Sequence, residues 1–372
     1  MKNTFGQSVS VTLFGESHGT AIGAVLDGLA PGIPVDSALI AEKIKQRQAS
    51  GGLSTPRHEP DIVQIVSGVF EGKTTGTPLC FLIENTNVKS GDYADLKTKP
   101  RPSHADYTAE CKYHGFQDYR GGGHFSGRIT APLVAAGAVA ISALRAKGIH
   151  IATHIAACAG IEDRAFDPVC PSTEDMAALN AALFPVLDTT AGQAMQEAIL
   201  AAREAGDSVG GVLETAVIGL PAGVGEPWFD TVESVLSHGL FAIPAVKGVS
   251  FGSGFDLCAM HGSEANDAFA LANRTVKTAT NHNGGINGGI TNGMPLLFRC
   301  AVKPTPSIAK PQQTVDLTLR EETTLSIKGR HDPAIVHRAR AVVDAVTALA
   351  LCDLLAQRFG TDYLAPESEA SL

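Results

Sequence analysis

The chain has 372 residues, of which 44% are hydrophobic and 18% charged, so it can bury a core and is not intrinsically disordered as a whole. A net charge of −9 argues against a general nucleic-acid or membrane-surface binder. No apolar run approaches the roughly 20 residues of a membrane span, and the first residues lack an apolar segment, so we expect no secretory leader. The seven Cys include no C-x-x-C pair, so we expect a cytoplasmic protein without a disulfide framework or zinc knuckle.

The predicted elements mix strands and helices along the whole chain. The first half predicts strands over 8–14, 21–27, 62–70 and 78–84 and helices over 37–48 and 130–147. The second half predicts strands over 150–160, 208–219, 245–251, 255–259, 296–302 and 314–319 and helices over 174–205 (broken at Pro185), 230–239 and 333–358. Hairpins among helices indicate an α+β fold. The absence of a G-x-G-x-x-G after the first strand and of a P-loop disfavours dinucleotide-binding and P-loop folds.

Two polar stretches interrupt this pattern. Residues 86–125 have almost no apolar periodicity and hold many Lys, Arg, His, Asp, Tyr and Gly. Aperiodic stretches of this length in a compact chain are usually functional or disordered, and the embedded aromatics with the run Gly121–Gly123 favour function. The second stretch, 278–295, carries paired glycines and many amides, which suit a planar, heteroatom-rich ring such as a flavin or purine.

Two histidine clusters are candidates for proton transfer. Ser17 and His18 lie in a glycine-bounded loop, and histidine is the side chain best suited to proton transfer near neutral pH. A hydrogen-bonded loop histidine is the ordinary alternative. His104 lies between Arg101 and Asp106, whose charges can hold one ring tautomer, while the arginine can pair with a carboxylate or phosphate. A surface turn is the alternative here.

Further clusters point to anion binding. Arg120 and Arg128 flank a glycine run that enters a predicted helix, and open backbone amides at a helix N-terminus attract anions, although a flexible connector has a similar composition. Lys303, with Thr305 and Ser307 after it, can hold a terminal phosphate.

Asp332 also has a purely structural interpretation, as the N-cap of the last helix with Pro333 as the first helical residue. Two other classes of site have weak support. The histidines lack the spacing of a zinc site, and no G-x-S-x-G nucleophile motif is present.

These ordered motifs resemble the chorismate synthase family. The matching segments are F-G-E-S-H-G (14–19), G-V-F-E-G (68–72), R-P-S-H-A-D-Y-T (101–108), D-Y-R-G-G-G (118–123), N-H-N-G-G-I-N-G-G-I (281–290), K-P-T (303–305) and G-R-H-D-P (329–333). The resemblance extends from residue 3 to about 358. It implies one catalytic domain over 1–360, built as a β-α-β sandwich with helices packed around antiparallel sheets, and a disordered tail over 361–372.

The resemblance also implies an activity. The family are carbon–oxygen lyases of the shikimate pathway, which eliminate phosphate from 5-enolpyruvylshikimate 3-phosphate in a 1,4-anti reaction and give chorismate. Reduced FMN would be an obligatory cofactor without net redox change, and NADPH would enter only as a reductant of the flavin. A homotetramer, with no nucleic-acid or membrane partner, is implied. The lack of large insertions favours an external flavin reductase.

Roles for individual residues follow from the same resemblance. His18 would protonate or hydrogen-bond the flavin with Ser17 beside it, His104 would serve as acid for the leaving phosphate, Asp332 would act near the flavin N5, and Ser126 matches a family serine. The implied substrate-binding residues are Arg47, Arg101 and Arg128. The implied cofactor-binding residues are His124, Phe125, Ser126, Ala245, Gly288, Lys303, Pro304, Thr305, Pro306, Ser307 and Arg330.

The chain departs from the family pattern at 124–130, where H-F-S-G-R-I-T replaces R-S-S-A-R-E-T, and at Pro306, which replaces a usual serine. Two other hypotheses therefore stay open. One is a flavin- or phosphate-binding relative without turnover. The other is a metal-dependent phosphohydrolase that uses the histidines.

Overall fold

Two antiparallel five-stranded sheets form the outer layers of the protein. The computed structural model describes residues 2–49, 51–54, 60–86, 96–327 and 332–366. The first sheet has the spatial order β1 (Thr4–Phe5), β2 (Ser10–Gly15), β3 (Ala21–Asp27), β7 (Leu79–Glu84) and β4 (Gln64–Ser67). The second has the order β11 (Val246–Phe251), β16 (Leu296–Val302), β10 (Gly211–Ile218), β8 (His150–Cys158) and β9 (Ile161–Glu162). Every pairing within these two sheets is antiparallel.

Helices fill the space between the sheets and cover their edges. The described helices are α1 (Ser37–Arg47), α2 (Asp106–Tyr113), α3 (Thr130–Ala146), α4 (Thr173–Ala181), α5 (Thr189–Glu204), α6 (Val232–Phe241), α7 (Gly262–Ala265) and α8 (Val336–Phe359). Short hairpins complete the described part: β5 (Val69–Phe70) with β6 (Lys73–Thr74), β12 (Phe269–Ala272) with β13 (Thr275–Thr278), β14 (Ile286–Asn287) with β15 (Ile290–Thr291), and β17 (Gln312–Asp316) with β18 (Glu321–Leu325). The α+β class and the sandwich architecture predicted from the sequence are confirmed.

The core lies where α3 and α8 pack together, with α3 against the first sheet and α8 against the second. Small side chains on α3 allow the two helices to approach closely. A Cβ on Gly137 would lie 2.3 Å from the Cβ of Ala345, so no larger residue fits at that position. This close contact fixes the N-terminal ends of both helices relative to each other, and those ends border the functional site.

One expectation about apolar runs was wrong. Among the described residues, Gly127–Ala146 is long and apolar enough to cross a membrane by length and composition, with a mean hydropathy of 1.6. In the folded chain, 83% of its apolar stretch is buried inside the protein. A core helix that is buried on all sides has a continuously apolar sequence.

Several predicted elements differ in detail from the structure. The strand predicted over 255–259 is instead a 3-10 helix, Gly254–Ala259. The strand predicted over 62–70 is divided at Gly68, whose φ of +86° breaks the extended backbone into β4 and β5. The predicted break at Pro185 is correct, since it separates α4 from α5. The tail expected over 361–372 is ordered at its start, because Thr361–Leu364 form a 3-10 helix and Leu364 is buried. Residues 367–372 lie outside the described residues.

A buried charged cluster joins β8 to β10. The His154 ring is fully buried, with Nδ1 2.9 Å from Asp163 Oδ2 and Nε2 2.9 Å from Glu214 Oε2. Burial lowers the pKa of His154, but its hydrogen bonds to the two carboxylates outweigh burial and raise it. Burial likewise opposes ionisation of Asp163 and Glu214, and the hydrogen bond from His154 helps to hold both pKa values below their usual range.

We expect this cluster to stabilise the fold most between pH 4.5 and 6.5, the ordinary pKa values of glutamate and histidine. Below that window the carboxylates stop stabilising the fold as the pH falls through their lowered pKa values. Above it the imidazolium stops stabilising the fold as the pH rises through its raised pKa. His154→Gln leaves the buried Asp163 without a cation and Glu214 with Arg299 alone, and we expect it to lower the free energy of unfolding by about 3–5 kcal/mol.

Denaturant unfolding from pH 4 to 9 measures this effect. Asp175→Asn is the control, because it breaks an exposed ion pair with Arg164 and should cost less than about 1 kcal/mol. Equal losses in the two variants would contradict the expected role of His154.

Candidate active site

A cavity of about 730 Å³ opens beside the N-terminal ends of α3 and α8. It is lined by residues within 47–49, 101–105, 121–133, 241–246, 303–307 and 332–342, together with Leu13 and Asp61. Cavities of this size bind small molecules and cofactors. The two helices that meet in the core therefore bring distant polar segments of the chain to one place.

Positive charge dominates the lining of this cavity. Among its described residues the cations are Arg47, Arg101, Arg128, Lys303 and Arg338, and the carboxylates are Asp61 and Asp332. The protein as a whole carries a net charge of −9, so the cavity has the opposite sign to the rest of the surface. Clustered guanidinium groups bind carboxylates and phosphates well, and this site is suited to an anionic ligand.

Asp61 joins two of these arginines. Its Oδ2 accepts a hydrogen bond from Nη2 of Arg47 at 3.0 Å, and its Oδ1 accepts one from Nη1 of Arg128. Burial raises the pKa of Asp61, but the charges of Arg47 and Arg128 outweigh burial and lower it. The sequence analysis predicted both arginines and missed this carboxylate, because no motif marks the loop that contains it.

His104 is held in one orientation at the edge of the cavity. Its Nδ1 lies 2.6 Å from Oδ1 of Asp106, and because a carboxylate only accepts hydrogen bonds, Nδ1 carries the proton in the neutral ring. Nε2 lies 3.6 Å from the position of a Cβ built on Gly122 and has no hydrogen-bond partner among the described residues. A ring fixed at Nδ1 with its second nitrogen available is the arrangement of an acid–base catalyst.

Arg101 supports the same histidine through Asp106, on the same Nδ1 side of the ring. Its Nε and Nη2 donate to the two carboxylate oxygens of Asp106, both at 2.8 Å, and its Nη1 donates to Ser307 Oγ at 3.2 Å. Burial opposes ionisation of Asp106, but the hydrogen bonds from Arg101 and His104 outweigh it and hold its pKa well below the usual range. The predicted cluster at 101–106 therefore forms one connected unit.

His18 lies behind the glycine run and does not line the cavity itself. Its Nδ1 is 3.2 Å from Ser17 Oγ, and that hydroxyl is also 3.2 Å from the carbonyl oxygens of Arg120 and Gly121. Since the hydroxyl has one proton to donate to a carbonyl, Nδ1 is the donor to Ser17. The backbone of Gly121 covers the ring, because a Cβ there would be 2.1 Å from Cε1 of His18.

Most of the predicted cofactor positions do line the cavity. They are His124, Phe125, Ser126, Ala245, Lys303, Thr305, Pro306 and Ser307. His124 donates from Nδ1 to the carbonyl oxygen of Gly15 at 2.8 Å, and Lys303 Nζ donates to the carbonyl oxygen of Ser103 at 2.5 Å. The hydroxyl of Thr305 is buried and has no hydrogen-bond partner within the described residues.

Two predicted cofactor residues are absent from the described lining of this cavity, and a third lies outside the described residues. Pro304 is absent from its described lining. Gly288 lies in the turn between β14 and β15, away from the cavity. Arg330 falls at 328–331, outside the described residues.

Asp332 lines the cavity and accepts a hydrogen bond from Nη1 of Arg338 at 2.7 Å. The alternative in which it caps α8 is wrong. The helix begins at Val336 with Ile335 at the N-cap position, so Pro333 is not its first residue. Asp332 therefore precedes the helix, and its carboxylate is paired at the cavity wall. No group of three or more His, Cys, Asp or Glu side chains with metal-binding proximity occurs among the residues that the structure describes.

The sandwich fold and the cationic cavity with its oriented histidine are the features of an enzyme whose site is suited to a small anionic molecule. A family model described as chorismate synthase matches residues 9–356. The chain is 46% identical to a chorismate synthase of Pyrococcus abyssi over 359 residues (94% of this chain, 96% of the relative), and 45% identical to one of Aeropyrum pernix over 366 residues (98% and 95%).

A solved structure of a chorismate synthase is also similar. It has a TM-score of 0.74 at 26% identity and covers 95% of this chain and 94% of its own. The chain belongs to the chorismate synthase family, and it is an enzyme of the carbon–oxygen lyase class.

Proposed function

We propose that this enzyme eliminates phosphate from 5-enolpyruvylshikimate 3-phosphate in a 1,4-anti reaction, gives chorismate, and requires reduced FMN without net redox change. The observation that carries the proposal is the meeting of Arg47, Arg101, Arg128 and His104 in one cavity. A substrate with two carboxylates and a phosphate needs several cations and one acid. Those groups come from three distant parts of the chain, and their convergence supports a common ligand.

The residues present fit a flavin mononucleotide. Lys303, Ser307 and the unpartnered hydroxyl of Thr305 are suited to a terminal phosphate. Leu133 and Val342 supply apolar wall for a planar ring. When bound, the reduced flavin would supply transient electron donation that weakens the allylic C–O bond, chemistry for which no side chain is suited.

On the substrate side, cations and an acid have separate tasks. Arg47 and Arg128 would hold anionic groups of the substrate and so orient its ring. His104 would give the proton on Nε2, in its protonated form, to the departing phosphate, while Asp106 holds the other side of the ring. A positioned acid of this kind contributes about 100- to 10,000-fold to a rate.

Three further residues are proposed to hold protons or shape the site. His18, with Ser17 on its Nδ1, would hold a proton next to the glycine run. The carboxylate of Asp332, paired with Arg338, would help to accept the ring proton that the substrate loses in the elimination. Ser126 accepts a hydrogen bond from the backbone amide of Arg128 at 3.3 Å, and it would keep the segment before α3 in place.

Anaerobic turnover tests the proposal. The protein is mixed with the substrate and chemically reduced FMN, and chorismate absorbance and phosphate release are followed together. We expect equal amounts of both products, no product with oxidised FMN, and no effect of a chelator. Flavin binding without chorismate would overturn the proposal and favour a relative without turnover, and phosphate release that a chelator stops would favour a metal-dependent hydrolase.

The proposal extends to the reductant, the assembly and the location. We propose a cytoplasmic homotetramer that takes reduced flavin from a separate reductase. NADPH with oxidised FMN is therefore expected to give no turnover until a flavin reductase is added. Turnover with NADPH and FMN alone would contradict this part.

A further inference from the structure

We propose that Asp61 is a positioning residue, whose carboxylate sets the orientation of the Arg47 and Arg128 guanidinium groups for the anionic substrate. The inference rests on the proposed function, because both arginines are the proposed substrate-binding cations. It adds to that function a residue that determines how well the substrate is held.

Geometry is the first support. Asp61 contacts Arg47 with one carboxylate oxygen and Arg128 with the other. Its side chain is fully buried and both arginine side chains are 8% exposed. Arg47 ends α1 and Arg128 precedes α3, so the arginines come from elements that are far apart in the chain. Asp61 couples them directly at the cavity wall.

Further contacts of both arginines help to fix this orientation. Nη1 of Arg47 lies 3.2 Å from the carbonyl oxygen of Gly127 and 3.3 Å from Thr130 Oγ1. Nε of Arg128 donates to Asn85 Oδ1 at 3.1 Å. A guanidinium group is planar and rigid, so fixing two of its edges decides where its other N–H groups point. Moving the carboxylate of Asp61 would turn both planes at once.

Charge is the second support. Burial lowers the pKa of Arg47, and the charges of Arg338 and Arg128 lower it further, while Asp61 offsets part of this effect. Three buried or half-buried arginines near one another repel, and the carboxylate allows two of them to share one wall. Asp61 thus keeps both cations in place and leaves the pair with a net single positive charge.

The backbone is the third support. Asp61 has a φ of +43°, in the left-handed region that favours glycine. Such a conformation persists where the surroundings determine it, and it is concentrated at functional sites. Here the side chain is held by Arg47 and Arg128 and by Gln48, whose Nε2 lies 3.3 Å from Oδ2.

Two substitutions at Asp61 distinguish the effect of the carboxylate's position from the effect of its charge. Asp61→Glu keeps the negative charge and moves the carboxylate by one methylene, with its folding checked by circular dichroism. Asp61→Asn keeps the size but can accept from one arginine only. We expect the KM for 5-enolpyruvylshikimate 3-phosphate to rise at least 5-fold in Asp61→Glu and at least 10-fold in Asp61→Asn, with kcat changed less than 3-fold in both. The substrate Kd, measured by calorimetry with oxidised FMN present, should rise by similar factors.

Asp344→Asn is the matched control. Asp344 is also a buried carboxylate between two cations, 3.4 Å from Lys43 Nζ and 3.8 Å from Arg340 Nη1, and none of these residues lines the cavity. It should lose stability and keep its KM.

A KM and Kd within 2-fold of the wild type in Asp61→Glu would overturn the inference, as would an equal rise in Asp344→Asn and Asp61→Asn. A wild type that binds the substrate without turning it over would overturn the proposed function alone, because the Kd values still decide the role of Asp61. A wild type that binds no substrate would overturn both.

Discussion

Replacing His104 by Ala is expected to lower kcat by about 100- to 10,000-fold, the range for loss of a positioned acid. The ring is fixed by the bond from Nδ1 to Asp106 at 2.6 Å, and its Nε2 is the group available to the leaving phosphate. Because Arg101 keeps both of its bonds to Asp106 in the variant, the cationic wall stays in place. We therefore expect the KM to change much less than kcat.

Single-turnover chorismate formation with reduced FMN measures this effect. His150→Ala is the control, because His150 is an exposed histidine at the start of β8, and its kcat should equal that of the wild type. A His104→Ala variant within 3-fold of the wild-type kcat would remove His104 from the proton transfer.

Replacing Gly121 by Ala is expected to lower kcat by at least about 100-fold, as for loss of a proton-transfer group. Glycine has no side chain, so the substitution removes no reactive group. The added Cβ would lie 2.1 Å from Cε1 and 2.4 Å from Nδ1 of His18. His18 is only 6% exposed, so its ring has little room to move and must leave its place beside Ser17. The residue also has a φ of +58°, which costs an alanine about 1–2 kcal/mol.

Gly148→Ala separates the collision from the backbone strain. Gly148 has a φ of +72°, and an added Cβ there meets nothing within 4 Å. It should lose only the stability that the positive φ costs, about 1–2 kcal/mol, and keep full activity, with folding of both variants checked by circular dichroism. Equal kcat values in the two variants would show that His18 does not depend on the space that Gly121 leaves.

The sequence was informative wherever a site is built from neighbouring residues. Arg101, His104 and Asp106 lie within six positions, so their mutual hydrogen bonds were predictable from spacing. The same holds for the strands predicted over 8–14, 21–27, 78–84, 208–219 and 296–302 and for α3 and α8, whose apolar patterns are long. The overall α+β sandwich followed from the resemblance, and the structure confirms it.

Contacts between distant segments were beyond the sequence. Asp61 lies 14 residues from Arg47 and 67 from Arg128, and only the fold brings the three together. In the same way, α2 was missed because its sequence buries only Ala109, which gives no apolar periodicity. Asp332 had the composition of a helix cap, but the chain between it and α8 holds it at the cavity wall instead.

A crystal structure with oxidised FMN and 5-enolpyruvylshikimate 3-phosphate bound is the most direct test of the proposed active site. We expect both molecules in the cavity between α3 and α8, with a substrate phosphate oxygen within hydrogen-bond reach of His104 Nε2, about 2.6–3.2 Å, and anionic groups on Arg47 and Arg128. Substrate bound outside this cavity, or bound inside it with its phosphate away from His104, would contradict the proposed mechanism.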